Sequence, residues 1–75
     1  MFEVGRCLIP NLLENIDKDQ TWLAGITGIS RNQLSDYCNN RYITSMKNAK
    51  SIATALKCSI DDLYEWVPVD SSQNR

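Results

Sequence analysis

The sequence predicts an all-α chain of five short helices around one small core, and three observations carry that prediction. Apolar residues recur at spacings of three and four along most of the 75 positions. Hydroxyl and carboxylate residues stand just ahead of those runs, where a side-chain oxygen can cap an orphan amide. Glycine or asparagine punctuates them, and these residues hold at low cost the left-handed conformation that ends a helix. The termini read differently. Phe2 and Val4 alternate with Glu3 and Gly5, and Tyr64-Glu65-Trp66-Val67 alternates again, so a short two-stranded pairing of the ends is an added expectation.

The first helix runs from about Leu8 to Ile16. Pro10 fits its first turn, where the missing N–H would be unpaired anyway, and Ile9, Leu12, Leu13 and Ile16 form the stripe expected to be buried. Asp17 to Asp19 turn the chain, and Asp19 caps a second helix that begins at Gln20. Leu23, Ala24 and Thr27 share its inner face; Trp22 lies off that face, either against the first helix or at the edge of the outer surface. Gly28 then ends the helix and Ile29 plugs the corner. Ser30 caps the third helix, with Gln33 reaching back in an S-x-x-Q capping box. Leu34, Tyr37 and Cys38 face inward, which leaves Arg31, Asn32, Ser35 and Asp36 outside.

Ser45 caps a fourth helix whose apolar set is Met46, Ala49, Ile52, Ala53 and Leu56. Lys57 and Cys58 form a loop, and Ser59-Ile60-Asp61-Asp62 opens a fifth helix with an S-x-x-D cap, anchored by Leu63 and Tyr64. Pro68 stops what precedes it. Residues 1–67 therefore read as one domain, and 68–75 as a short polar tail.

Composition narrows the function. No apolar run approaches the roughly 20 residues needed to cross a bilayer, and no signal peptide opens the chain, so a cytoplasmic location is expected. Cys7, Cys38 and Cys58 lack C-x-x-C spacing and read as reduced, small core residues. Without histidine the usual general base is missing, and no nucleophile–base pair or metal cluster stands out, so the reading is not an enzyme, with no cofactor, metal or small-molecule substrate. The net charge of −1 hides a segregation. Residues 18–50 sum to +3, while residues 1–17 and 51–75 each sum to −2, so the positive part coincides with the second and third helices.

Gln20, Leu23, Ala24, Gly28, Ile29, Leu34 and Tyr37 stand in the register of the helix-turn-helix of Cro/C1-type (lambda-repressor-like, XRE family) regulators, and Thr27-Gly28-Ile29-Ser30 is a common wording of its turn. The helix-turn-helix proper spans residues 20–39, and the chain resembles that family over about residues 8–65. One departure is Asn40, where the family usually has glycine; asparagine is the next most tolerant of a left-handed backbone.

The resemblance implies a five-helix, lambda-repressor-like fold that binds double-stranded operator DNA in a sequence-specific way, as a small bacterial or phage transcriptional regulator associated with the nucleoid when bound. Repression needs only operator occupancy, so repressor is favoured over activator. Arg31 and Asn32 would read guanine and adenine, with Ser35 one turn along; Asp36 either accepts from cytosine or orients Arg31 or Asn32. Gln20, Thr21, Asn39, Asn40, Arg41, Tyr42 and Lys47 would meet the phosphate backbone. A homodimer is expected, because a local balance of +3 is modest for one module; Tyr64, Trp66, Val67 and Val69 would supply its surface, with Phe2 and Val4 beside them. The competing reading from another class is a protein-interaction module, an adaptor or antitoxin-like partner on the same fold, which net acidity favours.

Overall fold

Caps and left-handed residues decide where the helices begin and end, in a computed structural model that describes residues 1–69. The element order is β1 (Phe2–Cys7), α1 (Ile9–Asn15), α2 (Gln20–Thr27), α3 (Arg31–Cys38), α4 (Met46–Leu56), a single 3-10 turn (Ile60–Leu63) and β2 (Tyr64–Pro68). Asp19, Ser30 and Ser45 each accept the backbone N–H three residues on, at 2.9, 3.1 and 3.2 Å. Gly28 ends α2 with φ 76°, and Lys57 ends α4 with φ 58°.

The five-helix, all-α class is overturned: four helices pack with a two-stranded antiparallel sheet. Ser59 does donate its N–H and hydroxyl to the Asp62 carboxylate, both at 3.1 Å, but the turn this cap starts lasts four residues. From Tyr64 the aromatic and β-branched side chains suit a strand, and β1 lies beside them to pair their backbone. Phe2 stands opposite Pro68, Glu3 opposite Val67, Val4 opposite Trp66 and Cys7 opposite Tyr64, with a bulge between Val4 and Cys7. Gly5 lies in that bulge. A Cβ there would come within 3.1 Å of Glu65 and Val67, so the strands approach closely only because the side chain is missing.

An isolated two-stranded sheet is marginal, and this one is anchored at one end, where Cys7 and Tyr64 are buried in the core. Cys7, Ile9, Leu23, Leu34, Ile52 and Leu63 are the fully buried centre of the core, joined by Leu13, Ile29, Tyr37, Ala49, Ala53, Leu56 and Tyr64. Three expectations fail here. Ile16 and Met46 are exposed rather than buried, because each sits at a helix end beyond the reach of the core. Tyr64 is buried rather than part of an outer face; its hydroxyl accepts the Thr44 N–H at 3.2 Å, which satisfies its polar end inside the fold. Trp22 packs half-buried on the core, with the Lys18 ammonium 5.5 Å from its ring centre. Cys7, Cys38 and Cys58 are free thiols, and contact with Cys7, then burial, pushes the Cys38 thiol up. Of the polar tail at 68–75, Pro68 closes β2 and the Val69 N–H donates to the Met1 carbonyl at 2.9 Å, while residues 70–75 lie outside the described part.

Candidate nucleic-acid interface

A helix start exposes backbone amides that the helix itself cannot satisfy. At α2 the Asp19 carboxylate takes the Trp22 N–H, and Leu23 bonds to the Asp19 carbonyl, so the amides of Gln20 and Thr21 keep no protein partner among the described residues. The turn at Gly28 then brings the start of α3 alongside. Gln20, Thr21 and Arg31 line one open cleft of about 500 Å³, together with the loop that holds Lys18. Glu14, Asp17 and Asp19 line the same cleft, so Lys18, Arg31 and the amides at the start of α2 share it with three carboxylates.

Along α3 the inward face is used up and the outward face is not. Leu34 and Tyr37 are buried, and the Tyr37 hydroxyl accepts from Asn48 at 3.0 Å. Arg31 and Asn32 are exposed, with no ion pair or side-chain hydrogen bond among the described residues. Gln33 joins them. Ser30 caps its backbone N–H at 3.1 Å, but the reciprocal bond expected of the Gln33 side chain is not made among the described residues, and that side chain is exposed. The S-x-x-Q pattern hid it, since the box assigns the glutamine inward.

The end of α3 is more tied down. Asp36 orients neither Arg31 nor Asn32; its carboxylate lies 3.2 Å from the Arg41 guanidinium, and its carbonyl accepts the Arg41 N–H at 2.9 Å. The chain doubles back after the helix, so the arginine that returns, and not Arg31 on the helix itself, meets Asp36. Ser35 accepts from the Asn39 amide at 3.3 Å. Asn40 holds a left-handed backbone with φ 58°, and its side chain bonds to β1, so it is not free to meet a phosphate. Tyr42, next to Arg41 in the chain, and Lys47, in the first turn of α4, are exposed. The surface therefore offers planar donors at the start of α3 and a cationic, hydrogen-bonded loop at its end, the two kinds of group that DNA grooves and backbones take.

A family model for the Cro/C1-type HTH DNA-binding domain matches residues 9–69. The chain belongs to that family. It is similar to the SPbeta prophage-derived HTH-type transcriptional regulator YopS of Bacillus subtilis (strain 168), with 48% identity over 67 residues that cover 85% of this chain and 88% of the relative. Members of the Cro/C1 type bind DNA, and the geometry of α2 and α3 is that of a helix-turn-helix. No helix among the described residues is long and apolar enough to cross a membrane, and no group of three His, Cys, Asp or Glu among them could hold a metal ion.

Proposed function

We propose that this chain is a sequence-specific transcriptional regulator, a repressor that acts by occupying its operator as a homodimer. The observation that carries the reading is the unspent outer face at the start of α3, where Arg31, Asn32 and Gln33 are exposed and Arg31 shares a cleft with Gln20 and Thr21. Arg31 pairs with guanine and Asn32 with adenine, each bidentate; Gln33 adds a second adenine-type reader. Arg41, Tyr42 and Lys47 meet phosphates, and Ser35 and Asn39 adjoin them. Asp36 acts by holding Arg41.

Dimerisation follows from charge. One module with +3 in its middle third gains a full set of phosphate contacts only by doubling, and a two-fold pair fixes half-site centres about 34–36 Å apart. Phe2 and Trp66 support the sheet as the joining face, since both are exposed and alternate onto one side of it. Ile43 and Met46, also exposed, continue that apolar area. Val67 alternates onto the opposite side, and Tyr64 no longer belongs to the surface.

Binding to randomised duplex DNA, titrated with salt, tests the function: enrichment of a palindromic sequence and a steep loss of affinity with salt are expected. Uniform weak binding to all sequences would return the chain to the adaptor reading. Trp66→Ala should weaken dimerisation in sedimentation while helix content holds, and an unchanged association constant would remove the sheet from the interface.

A further inference from the structure

Arg41 and Tyr42 sit in the loop between α3 and α4, which has no repeating hydrogen bonds of its own. Its shape comes from tethers. On one side Arg41 is tied to Asp36 through both backbone and side chain. On the other, both ends of the loop hang from the terminal sheet. The Asn40 carboxamide accepts the Cys7 N–H and donates to the Gly5 carbonyl, each at 3.0 Å, and Thr44 donates its N–H to the Tyr64 hydroxyl at 3.2 Å. One tether lands on β1 and the other on β2. The Asn40 contacts fall within the bulge, where the pairing of β1 with β2 is interrupted between Val4 and Cys7. There the carboxamide stands in for a peptide group of a neighbouring strand, offering one donor and one acceptor.

We propose that Asn40 is a positioning residue for DNA binding: its carboxamide bonds the loop carrying Arg41 and Tyr42 to the bulge of β1, so that the terminal sheet sets the backbone-contacting loop without touching DNA. The proposal rests on the DNA-binding reading above. Glycine would satisfy the φ of 58° at this position equally well, so the backbone conformation alone does not call for asparagine; the two bonds do.

Asn40→Gly separates the two roles, because it keeps the left-handed backbone and deletes the carboxamide. Three measurements are made on the full chain: thermal unfolding, hydrogen exchange at the Arg41 and Leu34 amides without DNA, and affinity for the selected duplex across a salt series. Exchange at Arg41 should quicken while Leu34 keeps its protection. Affinity should fall about two- to tenfold, the range one net hydrogen bond supplies. The slope of log affinity against log salt should flatten by about 1, as a phosphate contact is lost. Wild-type exchange at Arg41, or weaker binding with an unchanged slope, would overturn the proposal, the latter because a smaller folded fraction lowers affinity without removing a contact. If Asn40→Gly melts below the assay temperature, Tyr64→Phe tests the other tether with the ring still in the core; it should show the same pattern at smaller size, and no change in exchange at Thr44 would overturn the brace. Failure of the native protein to bind any duplex would sink the DNA reading itself, while exchange at Arg41 would still report whether Asn40 fixes the loop.

Discussion

In the helix-turn-helix each cap joins residues three or four positions apart, such as Trp22 to Asp19 or Gly28 to Ala24, whereas the terminal sheet joins Phe2 to Pro68 across nearly the whole chain. The first region folds with backbone, caps and an inward stripe, and that leaves its outer side chains free. The second spends side chains to exist at all: Gly5 makes room, Asn40 fills the bulge, Tyr64 bonds to Thr44 and the Trp66 indole donates to the Asp61 carbonyl at 2.9 Å. The face proposed to read DNA can thus change its residues at little cost to folding. The sheet cannot.

Substitutions can break this contrast, starting where both regions share one core. Leu34 is fully buried beneath α3, so Leu34→Ala should cost about 2–5 kcal/mol and lower unfolding midpoints for helix and sheet signals together. Separate transitions would show that the two regions do not share a core. Gly28→Val probes the local region. Apart from its two chain neighbours, no atom among the described residues lies within 4 Å of the Cβ it would add, so its cost is mainly the left-handed backbone, about 1–3 kcal/mol in urea unfolding. Gly28→Asn should recover much of that loss, and equal damage from both would point to a steric cause instead. Gly5→Ala probes the non-local region and should cost about 1 kcal/mol, because backbone and side-chain atoms of Glu65 must give way from 3.1 Å. Its mark should be loss of sheet signal with helix content unchanged.

The same contrast explains what was legible in the sequence. Asp19, Ser30, Ser45 and Gly28 could be read because caps and left-handed turns depend on a few neighbouring residues. The fifth helix was misread for a matching reason: Ser59 and Asp62 make the same local cap for one 3-10 turn as for a long helix, and what ends the turn is β1, almost sixty residues away. Ile16 and Met46 fit a helical stripe, but periodicity does not say where along a helix the core stops. At the candidate site, the exposure of Arg31 and Asn32 followed from the inward face opposite them. Asp36 found Arg41 only because the chain turned back, and Gln33 was hidden by a capping pattern that the fold half uses.

On the proposed function the start of α3 reads the bases while the loop after it supplies affinity. Selection from randomised duplex DNA with native protein, Arg31→Ala, Asn32→Ala and Arg41→Ala tests it most directly. Arg31→Ala and Asn32→Ala should each relax preference at one base pair, by about 1–3 kcal/mol. Arg41→Ala should keep the native preference, bind every sequence more weakly and flatten the salt dependence by about 1 unit. Native preference retained by both α3 variants, or lost in Arg41→Ala, would contradict the assignment.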